Sequence, residues 1–406
     1  MSIKKFFSIP PLFILAVIVC NAYLSLFLFS PLQLGARKFI LGSDYRAFYT
    51  AAQMLKNGAA DLYTPSVQFH WQRTYVPEVK TLAQLNPFRN PPLIASLFVP
   101  LTFLSFEWGY VALLFINILL FGLVVHLIFK LLPLHSLKER GYVLLMSLGF
   151  NPVLFVFGQG QTSLLIVIAL LLSRLLSVRK HSYLAGVALS LVAVKPQYLP
   201  LLLIFLLFQK NLKTLAGFFA GLIGVLCLSV ILVGYADIIG YINFLVNTLG
   251  QWDRFTIQPR MMFTLQSLWL NIARSDVIDS VRWFWYGSIT IVTGVFMWAS
   301  YRRTDKAPWM QEIQWAILPV ALVLTSPYTN IQDLSVLIVT AVSLVRWSAI
   351  VKDYSYRAAR RIITTGFVLG NALWAALMLY VAPLYILFLL GVFLYLTTRL
   401  RFQSNN

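Results

Sequence analysis

The stretch Gly42-Ser43-Asp44-Tyr45-Arg46-Ala47-Phe48-Tyr49 holds the carboxylate best placed to do chemistry in this chain. It follows directly on a hydrophobic segment from Phe6 to Leu34, which at about 1.5 Å per residue is long enough to cross a bilayer core of roughly 30 Å. Asp44 therefore falls about one or two turns beyond a first membrane helix, near the headgroup level. A carboxylate costs about 2.5–3.5 kcal/mol at the centre of a membrane helix and less near the interface, so the charge is tolerable there. That is where a membrane enzyme would meet a substrate with a polar head and a lipid tail. Ser43 and Asp44 are also good N-cap types, and the competing reading is that Asp44 only starts a helix.

Lys195 lies in the apolar run Leu191-Val192-Ala193-Val194-Lys195-Pro196-Gln197. It either snorkels from a helix end to water or presents a buried ammonium to a phosphate beside a helix break. Gln159 and Gln161 flank Gly160 between two apolar runs, as turn residues or as paired amides for sugar hydroxyls. Gly158-x-Gly160 lacks the preceding strand and the Lys-Ser/Thr of a phosphate loop. Arg37, Lys38, Arg46, Arg73, Arg89, Arg254 and Arg260 form a set of cations on the face of Asp44 that topology does not demand. Most suit lipid headgroups; Arg89 and Arg260 join Lys195 as candidates for a phosphate. Trp71, Tyr63, Tyr75 and Trp252 suit either stacking on a sugar or an interfacial aromatic belt.

The elements that must position these groups are membrane helices. Hydrophobic residues make up 59% of the 406 residues and charged residues 11%, which excludes an ordinary soluble domain. The chain is expected to be an all-α polytopic membrane protein, a single integral domain over 1–406 with about 12 spans. These lie near 6–34, 108–129, 141–157, 162–178, 183–195, 197–209, 212–234, 283–301, 312–327, 332–350, 361–381 and 384–400. The run 92–105 is expected to be short, broken or re-entrant, because a full span there would put basic loops on the wrong side. A loop at 36–90 carries Asp44 and helices lying along the membrane, since Ala47, Phe48, Ala51, Ala52 and Leu55 recur at helical spacing and Gly58 ends the run. A second loop covers 236–281.

Lys4-Lys5 place the N-terminus in the cytoplasm, and the hydrophobic stretch after them is too long for a signal peptide. Asp44, Gln159-Gly160-Gln161, Lys195-Pro196-Gln197 and Ser326-Pro327-Tyr328 then share the outer face. The net charge of +19 sits largely in short loops, so it reads as topology and not as nucleic-acid binding. Cys20 and Cys227 lie in apolar runs, and His70, His126, His135 and His181 show no ligand spacing, so no disulfide framework or metal site is expected.

The motifs Gly-x-Asp-Tyr-x-x-Phe-Tyr-x-Ala (Gly42 to Ala51), Leu62-Tyr63, Pro87-Phe88-x-x-Pro91-Pro92-Leu93, Pro100-Leu101, Asn117, Asn151-Pro152, Gly158-Gln159, Ala185-Gly186, Lys195-Pro196 and Ser326-Pro327-Tyr328 with Asp333 run in order along the chain. Together they resemble glycosyltransferase family 87, the former domain of unknown function 2029. That family lies within the GT-C superfold and includes polyprenol-phosphate-mannose-dependent mannosyltransferases. The resemblance covers roughly residues 40–335. It implies a GT-C fold and a general base on the first outer loop, which falls on Asp44. It also implies a polyprenyl-phosphate sugar as donor, a glycolipid or glycan acceptor, and no metal or other cofactor. One departure stands before Asp333, where the family pattern has an aromatic or a histidine and this chain has Gln332.

Joined to the residues above, the expected sugar or acceptor contacts are Tyr45, Tyr63, Gln159, Gln161, Gln197, Tyr328 and Asp333, with Lys195, Arg89 and Arg260 on the donor phosphate. The membrane would be a plasma membrane, crossed many times, with the site facing the periplasm or exterior. A transporter or lipid flippase is the rival class. It predicts a solvated central cavity and internal repeats, whereas a transferase gathers its polar residues at one surface.

Overall fold

The computed structural model describes residues 9–29, 43–59, 61–248, 259–275, 277–301, 307–351, 354–372 and 382–402. Among these the chain folds into eighteen α-helices, with no strand. The first half comprises α1 (Pro11–Phe29), α2 (Tyr45–Lys56), α3 (Pro65–Tyr75), α4 (Pro92–Phe98), α5 (Phe106–Leu131), α6 (Leu137–Leu148), α7 (Asn151–Gln159), α8 (Ser163–Val178) and α9 (Ser182–Ser190). The second comprises α10 (Leu199–Phe208), α11 (Leu212–Val233), α12 (Tyr235–Thr248), α13 (Leu265–Ala273), α14 (Arg282–Tyr301), α15 (Pro308–Thr325), α16 (Leu337–Val351), α17 (Tyr354–Asn371) and α18 (Ala382–Phe402).

Four stretches among the described residues are long and apolar enough to cross a membrane alone, namely Phe106–Leu131, Leu212–Val233, Ile331–Val351 and Pro383–Leu400. They coincide with expected spans. Other expected spans are built from pieces: 141–157 is the pair α6–α7, bent by 58°. The runs 183–195 and 197–209 are α9 and α10, joined through 3-10 turns at Leu191–Val194 and Pro196–Tyr198 around Lys195. The run 92–105 is α4 followed by a 3-10 turn at Val99–Phe103. At roughly 20 Å it falls short of a bilayer core.

Large apolar side chains such as Phe115, Leu119, Ile223, Ile231 and Ile291 stand exposed on α5, α11 and α14, as lipid-facing helices require. Inside, the helices approach closely where side chains are small. A Cβ on Gly186 of α9 would lie 1.9 Å from the Thr214 carbonyl of α11, and one on Gly217 would lie 2.0 Å from the Tyr183 carbonyl. The α15–α16 hairpin is deeply enclosed, with α15 buried continuously from Glu312 to Leu324.

Charge is buried at the Glu312 end of this hairpin. The Glu312 carboxylate accepts from Arg174 Nη2 of α8 at 2.7 Å and from Arg346 Nε of α16 at 2.7 Å, and Arg346 also donates to the Leu131 carbonyl at 2.5 Å. Three helices and the end of α5 are thereby pinned at one point. An apolar cavity opens beside the hairpin, lined by residues that include Phe150, Leu337, Ile338, Phe367, Tyr385 and Phe388.

The expected helix after Asp44 is present as α2, and Gly58 follows it at φ +67°. Its face of Ala47, Phe48, Ala51 and Ala52 is closed by protein: Phe48 is 1% exposed and stacks on Phe98 of α4 at 4.8 Å. The second loop, 236–281, holds α12, α13 and a 3-10 turn at Pro259–Met261. Arg37, Lys38, Trp252 and Arg254 lie outside the described residues.

Candidate active site

Asp44 occupies the N-cap position of α2, yet it does not cap it. Its backbone is already helical (φ −68°, ψ −18°), and no side-chain cap bond forms. The carboxylate instead points into a cage of primary amides. Oδ2 accepts from Gln161 Nε2 at 2.5 Å and from Gln332 Nε2 at 3.4 Å, while Oδ1 accepts from Asn86 Nδ2 at 3.4 Å. The Asp44 backbone N–H donates to Gln159 Oε1 at 3.1 Å. Both glutamines reach one residue because Gly160 between them adopts φ +64° and ends α7. A Cβ at Gly160 would come within 3.0 Å of Tyr45 Cβ and 2.9 Å of Leu113 Cδ2, so glycine satisfies both the turn and the close approach.

Asn86 is itself held from behind. Gln72 of α3 donates to the Asn86 carbonyl at 2.9 Å and accepts from its N–H at 3.0 Å, and Asn86 Nδ2 also donates to the Ser43 carbonyl at 3.3 Å. The Asp44 carboxyl is held above its ordinary range by burial, which outweighs the hydrogen bonds from Gln161 and Asn86 and the charges of Lys195 and Arg89.

A second cluster abuts the first. Lys195 Nζ donates to Asp333 Oδ1 and, at 2.9 Å, to Ser163 Oγ; Ser163 Oγ in turn donates to Asp333 Oδ1 at 2.9 Å. Asp333 Oδ2 accepts the Asn330 N–H at 3.0 Å in a capping box that opens the 3-10 turn Ile331–Val336. Lys195, expected to meet a phosphate, thus spends its charge on a buried carboxylate. Arg89 is hydrogen-bonded to Tyr328 and lies within electrostatic reach of Asp44. Burial pushes the Tyr328 phenol up to about 12, with Arg89 opposing the shift.

The remaining expected residues fall in three places. Tyr45 and Tyr63, expected to contact a sugar, are packed in the core. Tyr45 is 0% exposed among Tyr49, Phe106 and Tyr110, and Tyr63 packs on Phe88, Tyr241 and Phe244 with its hydroxyl on the Asn90 carbonyl at 2.9 Å. Both rings are too apolar to leave the core, and they brace the backbone on either side of the site. Gln197 is half-buried in the turn after Lys195. Arg260 sits on a segment tied to the Tyr328 loop by the Phe263 N–H, which donates to the Thr329 carbonyl at 2.9 Å.

Asn86, Gln72, Ser163 and Asn330 escaped the reading of the sequence. Only the Asn86-Pro87 turn carried a local signal. Among the described residues no group of three His, Cys, Asp or Glu side chains is placed to hold a metal ion.

No curated protein and no solved structure matches the chain at a significant level. The sequence model of glycosyltransferase family 87 does match, over residues 88–327. That span includes Arg89, Gln159, Gln161, Lys195, Gln197 and Arg260, and it begins after Asp44. With more than half of its length matched, and with helices among the described residues of which four are long and apolar enough to cross a membrane, the chain belongs to glycosyltransferase family 87.

Proposed function

We propose that this glycosyltransferase moves a sugar, mannose in the first instance, from a polyprenyl-phosphate donor to a hydroxyl of a glycolipid or glycan acceptor. Transfer would occur at the outer face of a plasma membrane. The observation that carries the reading is the side chain of Asp44. It sits at a helix start without capping it, its basicity is raised by burial, and the cations Arg89 and Lys195 stand near it.

In this mechanism the acceptor oxygen attacks the anomeric carbon as the bond from that carbon to the phosphate oxygen breaks. Asp44 takes the acceptor proton, and the configuration inverts in a single displacement. The leaving phosphate keeps the bonding electron pair and is already a stable anion, so no carboxylic acid need protonate it, in contrast to two-carboxylate glycoside hydrolysis. Arg89, poised on Tyr328, is the first choice for the phosphate, with Arg260 on the facing segment and Lys195 acting through space. The apolar cavity beside Leu337 and Ile338, a few residues beyond Asp333, offers room for an isoprenoid tail. The reading requires no metal.

The test is transfer from a panel of radiolabelled polyprenyl-phosphate sugars in membranes, with and without a chelator. Wild type should transfer, Asp44→Asn should lose transfer while still binding donor, and chelation should change nothing. Full transfer by a folded Asp44→Asn variant would return Asp44 to a structural role.

A further inference from the structure

Asp44 Oδ2 and Oδ1 are not equivalent. Among the described residues Oδ2 receives two amides, one at 2.5 Å from Gln161 and one at 3.4 Å from Gln332, and Oδ1 receives one, from Asn86 at 3.4 Å. The two amides on Oδ2 come from distant parts of the chain, and the cluster behind them joins those parts. Ser163, two residues after Gln161, donates to Asp333, the residue after Gln332, and Lys195 ties both together.

We propose that Gln161 and Gln332 are positioning residues that hold Asp44 by Oδ2 and leave Oδ1 to take the acceptor proton, and that Asp333 sets their spacing while keeping Lys195 from forming an ion pair with Asp44. This rests on Asp44 being the base of the proposed transfer.

The choice of neutral donors has a chemical reason. A cation in direct contact lowers a carboxylate pKa by about 1–3 units and makes it a poor base. Amides orient the same oxygen with a smaller loss of basicity. Lys195 is a cation whose charge reaches Asp44, and Asp333 and Ser163 occupy its ammonium. The charged and titratable groups that act on Asp44 are Lys195, Arg89 from the loop before α4, Arg46 on its own helix and Tyr328 from the loop after α15. Lys195 has the Asp333 carboxylate bonded to it.

The two parts of the device therefore have opposite effects. Losing an amide removes a bond to the charged form, so the Asp44 midpoint rises. Losing the Asp333 charge exposes Asp44 to Lys195, so its midpoint falls.

The experiment is an infrared pH titration of the full-length protein in lipid nanodiscs, with the Asp44 carboxyl band identified by subtracting the Asp44→Asn spectrum. Gln161→Leu should raise the midpoint by about one pH unit, a tenfold change in the ionisation constant, and Gln332→Leu should raise it by less because its bond is longer. Asp333→Asn should lower it. In transfer assays the acid limb of kcat/KM should move the same way in each variant. Gln161→Leu should lose kcat by about 10²-fold with the donor KM held, as expected for a misplaced reacting group.

A midpoint unchanged in both glutamine variants, or raised in Asp333→Asn, overturns the proposal. If Gln161→Leu does not fold, Gln332→Leu and Asp333→Asn still give opposite predicted shifts. The titration needs no substrate. A wild type that transfers no sugar would thus refute the proposed function, while the opposed shifts would still decide the proposal about the cage.

Discussion

The pair Lys195–Asp333 can be separated from a phosphate site by a double-mutant cycle. The side chains of Lys195 and Asp333 are 7% and 1% exposed, so each charge depends on the other. Removing one partner of a buried pair costs about 3–5 kcal/mol, because an uncompensated charge stays behind. Lys195→Met leaves Asp333 with donors from Ser163 and the Asn330 N–H, which places its loss near the low end, about 3 kcal/mol. Asp333→Asn leaves the ammonium with the Ser163 hydroxyl as its remaining bonded partner in the cluster, which places its loss nearer 5 kcal/mol. The double variant buries no charge at this point and should fall short of the summed losses by about 2–3 kcal/mol. Equilibrium unfolding of the four proteins in mixed detergent micelles measures the term. Losses that add to within about 0.5 kcal/mol would refute the reasoning and release Lys195 to serve the donor phosphate directly.

Asp44 should leave an opposite mark on stability. Its carboxyl pKa is raised in the folded state by burial, so the folded protein binds the proton more tightly than the unfolded chain does. Stability therefore falls as pH rises from the unfolded pKa through the raised folded one, and above that window Asp44→Asn should be the more stable protein, with the difference vanishing in acid. Unfolding at a series of pH values tests this, and a neutral-pH loss of stability in Asp44→Asn would contradict it. For packing, Gly186→Leu should abolish folded protein in detergent, since its Cβ alone would lie 1.9 Å from the Thr214 carbonyl, whereas Gly224→Ala, with nothing within 4 Å, should be neutral by size-exclusion chromatography.

Much of the fold was legible because membrane helices announce themselves through length and hydropathy. Phe106–Leu131 and Leu212–Val233 differ from their expected bounds by a few residues at most. Asp44 was legible for a related reason: a carboxylate just past an apolar segment is conspicuous by type and place. Its partners were not. Gln161 reaches Asp44 across 115 or more residues of intervening chain, as Gln159 does, and periodicity carries no information about such pairings. The pairing of Lys195 with Asp333 was hidden in the same way. The packing of Tyr45 and Tyr63 in the core was not legible because an aromatic in such a stretch can face either way, and Gly109 opens a space that the Tyr45 ring fills: a Cβ there would meet its hydroxyl at 2.2 Å.

One pattern in the sequence did mark the candidate site, and membrane physics explains why. Irregular backbone is tolerated at membrane depth only where protein buries it or where it lines a cavity. The breaks in this chain collect accordingly. Asn86-Pro87 supplies a donor to Oδ1, and Pro91-Pro92 opens α4 just after Arg89. Gly160 turns Gln159 and Gln161 onto Asp44, and Lys195-Pro196 interrupts the α9–α10 run. Ser326-Pro327 ends α15 beside Tyr328, and the 3-10 turn Ile331–Val336 carries Gln332 and Asp333. Each break frees backbone and side-chain polar groups that lipid would not satisfy, and satisfying them together at one place produces a polar cluster. A helix break in an apolar run is therefore better evidence of a site here than any single polar residue. By the same logic, replacing the proline or glycine that makes one of these breaks would scatter several site residues at once, where changing one side chain removes one.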